Sequence, residues 1–273
     1  MNLAVIIPAA GASSRYQLAS AQAGVDPDAT RSKLDEDLGG RPVLQRTVEL
    51  FANHAAVSTI IVAGPHDEGQ FAEFKSRYGD KLGLLGVRLT RGGRTHRYET
   101  VAAALALVPE PCTHVAIHDA ARPCTPADLI ERVIDAAERH PAVVPGLEVA
   151  DTLKRVGPPI TEANKDPLAA ILGAPGAAEG AGPRPVLETV DRSALVAAQT
   201  PQVFARELLL RAYAQGNLAS TDDAQLVERL GERVLVVPGD GRNIKITLPG
   251  DLHMARVILN VRAPEQRAAH KRF

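Results

Sequence analysis

Short apolar runs rich in β-branched residues alternate along the chain with segments whose apolar residues recur at helical spacing. The runs predict strands at residues 3–7, 58–63, 84–89, 114–118, 142–144 and 234–237. Because strands and helices alternate, we expect a mostly parallel sheet covered by helices on both faces, as in α/β proteins. Ligands of such sheets bind beyond the carboxyl ends of the strands, so the loops that follow strands are the first places to look for chemistry.

Helical faces are predicted from three sets of apolar residues. They are Leu44, Val48 and Phe51; Val101, Leu105 and Val108; and Leu129, Ile130, Val133, Ile134 and Ala137. The last of these helices is predicted to have Thr125 as its N-cap and Pro126 as its first residue. A further helix over 226–230 is predicted to end at Gly231, since glycine often follows a helix C-terminus.

Two segments break the alternation. Residues 17–32 are polar, small and aperiodic, and we interpret them as a surface loop. Residues 157–185 are rich in glycine and proline, which predicts a mobile insertion. The flanking sequences GLEVADTLKRV and VLETVDRSALVAAQ look extended, so we expect one domain over 1–273 with a projecting two-stranded arm at about 147–199. An isolated strand pair is marginally stable, so the arm is expected to pack on a partner subunit.

Composition narrows the function classes. The chain has 273 residues, 45% of them hydrophobic, and can bury a sizeable core. Only 3% are aromatic, which argues against base stacking on single-stranded nucleic acid, and a formal charge of −1 gives no general attraction to DNA or anionic membranes. The two cysteines lack metal-ligand spacing and are interpreted as reduced thiols. We therefore expect a cytoplasmic protein without signal peptide or transmembrane segment, and with no nucleic-acid or membrane partner.

Three loops that precede predicted helices combine small residues with positive charge. The loop PAAGASSR, which ends at Arg15, is either a tight strand-to-helix turn or a site for a phosphate or a base. It lacks the glycines of the dinucleotide fingerprint and the Gly-Lys-Ser/Thr of the P-loop. Lys33 precedes a Gly-Gly turn and is either solvated or functional. The loop RGGRTHRYETV, with Gly92 and Gly93 beside three arginines, is either a solvated turn or a site for a base or triphosphate.

The loop AIHDAARPCTP follows the fourth predicted strand. Asp119 lies where an apolar strand ends and is either a ligand for Mg²⁺ or a buried cap of the next helix, while the alanines after it leave room for a ligand. His118 is interpreted as a structural histidine. Lys245 alternates with isoleucines on a late predicted strand, which by itself predicts a solvent-facing side chain.

Together these loops favour a site for a nucleotide phosphate with Mg²⁺. They bring cations, glycine turns and one metal-type aspartate to strand ends, and no Ser/His/Asp order, paired carboxylates or metal-spaced histidines compete with them. The cations are Arg15, Lys33, Arg97 and Lys245.

The motif PAAG with its downstream lysine, RYETV and HDAARP together resemble the 2-C-methyl-D-erythritol 4-phosphate cytidylyltransferase family of the nucleotidyltransferase superfamily. HDAARP, TVDRSALVAAQTPQVF and RNIKITLPGDL are specific to this family and its polyol-phosphate relatives, and the resemblance covers nearly the whole chain except the two irregular segments. It implies a Rossmann-like α/β body whose arm joins a homodimer. It also implies Mg²⁺-dependent transfer of the cytidylyl group of CTP to the polyol phosphate, with release of pyrophosphate.

The resemblance implies a role for each matching residue. The implied catalytic residues are Arg15, Lys33 and Lys245, of which Lys33 would stabilise the pentavalent phosphorus. The implied nucleotide-binding residues are Ala9, Ala10, Gly11, Gly92, Gly93, Arg97, Thr100, Asp119 and Ala120, with Asp119 also holding Mg²⁺. The implied contacts to the polyol phosphate are Arg122, Thr152, Arg192, Thr200, Thr221 and Lys245, some of them across the dimer.

The sequence departs from the family in three places. Lys33 follows an insertion and precedes Leu34-Asp35, where the family usually has Gln-Tyr. The Gly-Gly loop is one residue longer, so either Arg94 or Arg97 occupies the position of the family arginine, and we prefer Arg97 because RYETV keeps the family spacing. The segment 157–185 has no counterpart.

The favoured function is cytidylyl transfer to methylerythritol phosphate in isoprenoid precursor synthesis by the non-mevalonate pathway. The acceptor is a phosphate monoester with a second pKa of about 6, so it is already ionised and no general base is required. The nearest alternative acceptor is ribitol 5-phosphate or another polyol phosphate. A non-catalytic nucleotide-binding protein is a further alternative, and a nicotinamide dehydrogenase is disfavoured by the missing glycines.

Overall fold

The computed structural model describes residues 1–11, 13–22, 32–160 and 182–263. The helices are α1 Ser14–Gln22, α2 Val43–Ala52, α3 Glu68–Gly83, α4 Arg97–Leu105, α5 Ala127–Ala137, α6 Arg206–Tyr213, α7 Ala224–Glu228 and α8 Pro249–Ile258. The strands are β1 Leu3–Pro8, β2 Val57–Gly64, β3 Val87–Arg91, β4 His114–Ile117, β5 Ala142–Glu148, β6 Leu153–Val156, β7 Val186–Val190, β8 Val196–Ala198, β9 Gln202–Ala205 and β10 Leu235–Pro238. Among the helices described, none combines the length and apolar character needed to cross a bilayer.

The chain divides into two compact units, Met1–Leu147 with Ala198–Phe273, and Glu148–Ala197. The larger unit contains a sheet with the strand order β10-β5-β9-β4-β1-β2-β3. Parallel pairs join β1 to β2 and β4, β2 to β3, and β10 to β5, while β9 is antiparallel to both β4 and β5. The predicted mostly parallel α/β fold is confirmed. The predicted elements omit β9, because a four-residue strand directly after a proline carries little periodic signal.

Strand β1 is buried on both faces. Leu3, Val5 and Ile7 pack in one apolar cluster with residues of α2, α3, α5 and α8, whereas Ala4 and Ile6 pack in a second cluster with residues of α4 and α6. A strand covered on both sides reads as an unbroken apolar run rather than an alternating one. This explains why the run at the start of the chain is the clearest strand in the sequence.

The order in which strands are added to the sheet reverses at β1. The chain goes from β1 to β2 and β3 on one side, and then returns to β4 on the other side of β1. The loops that leave the carboxyl ends of β1 and β4 therefore diverge and open a crevice between them, the usual place for a ligand in such sheets. PAAGASSR and HDAARP are those two loops.

Three predicted boundaries are wrong. Residues 17–22, predicted as loop, belong to α1. Leu84 is not in a strand, because its amide still donates to the carbonyl of Asp80 at the end of α3, and β3 begins at Val87. Lys245 is not on a strand either: the neighbouring Ile246 amide donates a hydrogen bond of 2.8 Å to the Ala121 carbonyl, but this segment pairs with none of the strands described.

Two helix ends also differ from prediction. Pro126 is the N-cap of α5 rather than its first residue, because its ψ of 148° is extended. Helix α7 ends at Glu228, and Gly231 closes a looser turn after it, in which the Gly231 amide donates to the Glu228 carbonyl at 2.9 Å. The glycine still takes the left-handed φ of 77° that suits the end of such a segment.

The smaller unit contains the predicted pair of extended segments. Strands β6 and β7 are antiparallel, and Lys154 Nζ donates to Thr189 Oγ1 across them at 2.6 Å. Val186 and Leu187 on β7 are 60% and 62% exposed, so this strand contributes little apolar burial within the unit. Residues 161–181 of the predicted insertion, and residues 23–31 of the first irregular segment, lie outside the described residues.

Candidate active site

Two cavities open at the crevice beside β1 and share three residues. The first, of about 380 Å³, is bounded by the loops after β1 and β3 and by the segment around Lys33. The second, of about 230 Å³, is bounded by residues 198–202, Arg122 and the loop before α7. Arg97, Asp119 and Lys245 line both cavities, so these side chains mark the junction between them.

The Gly92-Gly93 loop packs too tightly for any side chain. A Cβ on Gly92 would lie 2.7 Å from the Gly64 carbonyl oxygen and 3.0 Å from the Ala10 Cβ, and one on Gly93 would lie 2.1 Å from the Glu99 Cβ. The main chain of this loop can therefore approach both the β1 loop and the start of α4. The Gly93 amide donates to Thr100 Oγ1 at 3.1 Å, while Gly92 is buried behind the cavity wall.

Most of the predicted nucleotide-binding and catalytic residues line the first cavity. They are Ala9, Ala10, Gly11, Arg15, Lys33, Gly93, Arg97, Thr100, Asp119, Ala120 and Lys245. Arg94 lines the same cavity and is exposed, but Arg97, not Arg94, lies against Asp119.

Asp119 is a nearly buried carboxylate held by cations. Lys245 Nζ lies 2.9 Å and Arg122 Nε 3.3 Å from its Oδ2, and Arg97 Nε lies 3.5 Å from its Oδ1. Burial alone would raise the pKa of Asp119, but Lys245, Arg97 and Arg122 together hold this pKa well below its usual range. The group is therefore ionised, and it gathers three positive side chains at the junction of the cavities.

Lys33 is positioned in a different way. Its Nζ donates to the Ile246 carbonyl at 2.9 Å, and within the described residues it forms no ion pair. Burial, and then the nearby charge of Lys245, lower the pKa of Lys33. Arg15, exposed on α1, acts in the same direction. A half-buried ammonium next to other cations is a strong attractor for an anion, since an anion would relieve both effects.

His118 and Thr200 form a hydrogen-bonded chain behind Asp119. His118 Nε2 faces the Arg122 carbonyl at 3.2 Å, which can only accept, so this nitrogen carries the hydrogen. Nδ1 then accepts from Thr200 Oγ1 at 3.2 Å, and Thr200 Oγ1 accepts from the Asp119 amide at 3.0 Å. Complete burial lowers the pKa of His118 to about 4, so it is neutral at physiological pH, which agrees with the structural role predicted for it.

The residues predicted to contact the polyol phosphate are divided between the two units. Arg122, Thr200, Thr221 and Lys245 line the second cavity. Thr152 and Arg192 belong to the smaller unit, where Arg192 Nη1 donates to the Val149 carbonyl at 3.1 Å.

The donor set fits a magnesium ion that arrives with a nucleotide. In the described part of the chain there is no group of three or more His, Cys, Asp or Glu side chains that could hold a metal, so a site made by protein alone is not formed there. Asp119 is the one carboxylate among the described residues that line the first cavity. Mg²⁺ is commonly held by one or two carboxylates together with substrate phosphates and water, which this arrangement allows.

Sequence reasoning missed several polar residues that support the site. Asn243 Nδ2 donates to the Thr200 carbonyl at 2.9 Å, and Gln202 Nε2 donates to Asp222 Oδ2 at 2.9 Å. Asp223 and Tyr213 lie behind Arg97. Gln202 and Asn243 lie inside the motifs TVDRSALVAAQTPQVF and RNIKITLPGDL, and Asp223 is the second acid of the sequence STDDA. Their partners could not be predicted, because most of these contacts join residues far apart in the chain.

Comparison with known proteins gives consistent matches. The family IspD, 2-C-methyl-D-erythritol 4-phosphate cytidylyltransferase, matches residues 3–167 and 169–261. The 2-C-methyl-D-erythritol 4-phosphate cytidylyltransferase of Frankia casuarinae is 37% identical over 94% of this chain and 81% of the relative, and that of Streptomyces coelicolor is 37% identical over 94% and 84%. The crystal structure of the Thermus thermophilus enzyme of the same name has a TM-score of 0.64 and 31% identity, covering 96% of this chain and 100% of that chain. The resemblance drawn from the motifs is confirmed: the chain belongs to the 2-C-methyl-D-erythritol 4-phosphate cytidylyltransferase family.

Proposed function

We infer that the chain transfers the cytidylyl group of CTP to 2-C-methyl-D-erythritol 4-phosphate, giving 4-diphosphocytidyl-2-C-methyl-D-erythritol and pyrophosphate in the non-mevalonate pathway. The observation that carries the inference is the pair of cavities that meet at Arg97, Asp119 and Lys245. A transferase that joins two phosphates needs one cavity for each substrate and cations where they touch. The chain offers both, within a family defined by this reaction.

CTP occupies the first cavity in this proposal. The main chain of Ala10, Gly11 and Gly93 approaches the base and sugar, because small residues leave the peptide groups accessible. Arg15 and Lys33 bind the phosphates, and the pKa of Lys33, lowered in the free protein, rises again once phosphate oxygens surround its ammonium group.

The acceptor phosphate occupies the second cavity, next to Lys245 and Arg122. Thr221 contributes a hydroxyl to its wall. We assign Thr152 and Arg192 to the same substrate by their match to family positions. This cavity, not the nucleotide cavity, decides between methylerythritol phosphate and the alternative acceptor, ribitol 5-phosphate.

The reaction proceeds by direct displacement at phosphorus. An ionised oxygen of the acceptor phosphate forms a bond to the α-phosphorus of CTP, and the bond from that phosphorus to the oxygen bridging the α- and β-phosphates breaks. The electron pair leaves with pyrophosphate, and no proton has to move, since the monoester has a second pKa of about 6. The protein therefore acts through position and fixed charge.

Fixed cations lower the barrier at the junction. Two polyanions repel each other, and negative charge grows on the α-phosphoryl oxygens as the new bond forms. Lys33 approaches these oxygens from the first cavity and Lys245 from the junction. Asp119 would hold Mg²⁺, which would supply charge neutralisation when bound.

A homodimer and a cytoplasmic location are parts of the same proposal. Exposed apolar side chains on the smaller unit, among them Val186 and Leu187, support an interface with a second copy. Both cysteines are free and buried, in keeping with a reducing compartment. Analytical ultracentrifugation of the protein and of a Val186→Asp and Leu187→Asp double variant tests the dimer. We expect a dimer for the wild-type protein and a monomer for the variant. A monomeric wild-type protein would make the dimer wrong, and a dimeric variant would place the interface elsewhere.

The test of the function is pyrophosphate release from CTP with Mg²⁺ and each candidate acceptor. We expect turnover with 2-C-methyl-D-erythritol 4-phosphate and a much lower kcat/KM with ribitol 5-phosphate. The reverse preference would move the chain to the ribitol 5-phosphate alternative. CTP binding by calorimetry without turnover on either acceptor would favour a non-catalytic nucleotide-binding protein.

A further inference from the structure

A buried carboxylate and a tyrosine lie directly behind Arg97. The Asp223 side chain is 1% exposed, and its Oδ2 accepts a hydrogen bond of 2.7 Å from Arg97 Nη1. Its Oδ1 accepts a second one, of 2.5 Å, from the Tyr213 hydroxyl. Each carboxylate oxygen thus has a donor, which is what a carboxylate this far from water requires.

The Arg97 guanidinium is held from two sides. Nη1 contacts Asp223 while Nε lies 3.5 Å from Asp119 Oδ1, so the planar group spans two carboxylates at the junction of the cavities. Burial would lower the pKa of Arg97, but Asp223 and then Asp119 raise it above its ordinary value. A fork-shaped donor bound at two edges has little rotational freedom.

Asp223 also belongs to the loop that borders the second cavity. It is the N-cap residue of α7 and directly follows Thr221 and Asp222, which line that cavity. Gln202 fixes the loop at both ends, because its Nε2 donates to Asp222 Oδ2 at 2.9 Å and its Oε1 accepts from the Ala224 amide at 3.2 Å. The same short segment therefore borders the acceptor cavity and holds an arginine of the nucleotide cavity.

We propose that Asp223 is a positioning residue that fixes Arg97 at the junction of the two cavities, with the Tyr213 hydroxyl fixing Asp223. This rests on the proposed function, because the junction is where the two phosphates meet. Asp223 acts through Arg97 and does not contact substrate. The Tyr213 hydroxyl, on the side of Asp223 away from Arg97, restricts the carboxylate to the rotamer that faces the guanidinium.

The test is a double-mutant cycle of Arg97→Gln and Asp223→Asn, with kcat and KM measured for CTP and for the acceptor. Asparagine keeps the shape of Asp223 but loses the charge, and we expect kcat/KM for CTP to fall roughly 30-fold, within the range for a displaced electrostatic group. In the Arg97→Gln background the same change should cost less than about 3-fold, since residues that act through each other are not additive. Tyr213→Phe should cost about 3-fold by the same route.

Glu232→Gln serves as the matched control, because Glu232 pairs at 2.7 Å with Arg211, an exposed arginine on the helix that carries Tyr213. It should leave all constants unchanged. Equal losses from Asp223→Asn in both backgrounds, or a lower melting temperature with unchanged constants, would overturn the proposal. Calorimetry of CTP binding to the same variants repeats the double-mutant cycle without turnover. An inactive wild-type protein would therefore count against the proposed function, while the binding constants would still test the Asp223 proposal.

Discussion

Lys33 and Arg97 line the same cavity but are held in opposite ways. Among the described residues Lys33 makes one hydrogen bond, to the Ile246 carbonyl, and burial together with Lys245 lowers its pKa. Arg97 contacts the carboxylates of Asp119 and Asp223, which raise its pKa against the effect of burial. This difference indicates two roles. Lys33 is a cation without an ion-pair partner among the described residues, ready to bind an anion, whereas Arg97 is a cation already neutralised by carboxylates and fixed in position.

The largest effect should follow from Lys33→Ala. If Lys33 meets the developing charge on the α-phosphoryl group, kcat should fall by roughly 100- to 1000-fold, as when one preorganised donor is removed from a transition state. Single-turnover rates with CTP and methylerythritol phosphate measure this loss. Lys81→Ala, at an exposed lysine at the end of α3, is the control. A variant that loses CTP affinity but keeps its kcat would limit Lys33 to binding.

The second-largest loss of activity should follow from Asp119→Asn. This change removes the charge shared by Lys245, Arg122 and Arg97, and we expect about a 100-fold loss of kcat/KM, part of it through weaker Mg²⁺ binding. Arg97 keeps Asp223, so it should remain ordered, while Lys245 loses its carboxylate partner.

The Mg²⁺ concentration for half-maximal rate measures the metal contribution to the Asp119 effect. Asp128→Asn is the matched control, because Asp128 is a surface carboxylate that also contacts two arginines, Arg132 and Arg242. An unchanged Mg²⁺ requirement in the Asp119 variant would remove Asp119 from the metal assignment and leave it as the organiser of the cations.

The sequence predicted much of this site but not how its charges are paired. The strand ends and the glycines could be located from local patterns, and family motifs identified Lys33, Asp119 and Lys245. Alternation predicts that Lys245 faces solvent, and its side chain is indeed exposed, but its Nζ also contacts Asp119, 126 positions away. Arg97 and Asp223 likewise pair across 126 positions. Local periodicity contains no information on such partners, because they depend on how distant loops meet at the sheet edge.

A smaller effect concerns pH. Lys33 with a lowered pKa loses its proton as the pH rises, so kcat/KM for CTP should fall on the alkaline side earlier than for an ordinary lysine. Arginine keeps its proton throughout the pH range in which a lysine titrates, so Lys33→Arg should move this fall to higher pH even if its maximal rate is lower. Lys81→Arg is the control. The same alkaline fall in wild type and Lys33→Arg would assign it to another group.

The smallest effects should come from two tyrosine-to-phenylalanine changes, one near Lys33 and the other behind Arg97. Tyr78 donates to Asp35, two residues after Lys33, just as Tyr213 donates to Asp223 behind Arg97. Each change removes one hydroxyl, with a cost in stability of about 1 kcal/mol. Because Asp35 is also paired with Arg77, the Lys33 segment keeps a second anchor, and Tyr78→Phe should lower kcat by only about 2-fold.

Tyr213→Phe leaves Asp223 with Arg97 as the remaining side-chain donor among the described residues, so its activity loss should be the larger one at a similar loss of stability. Melting temperature and kcat/KM for CTP, measured on both variants, separate the two cases. If the two variants lose activity in proportion to stability, the hydroxyls only support the fold. If only Tyr213→Phe weakens catalysis beyond its stability cost, Arg97 depends on its hydrogen-bonded neighbours more than Lys33 does. The reason is that a cation already neutralised by carboxylates can assist the reaction only while it is held in the correct position.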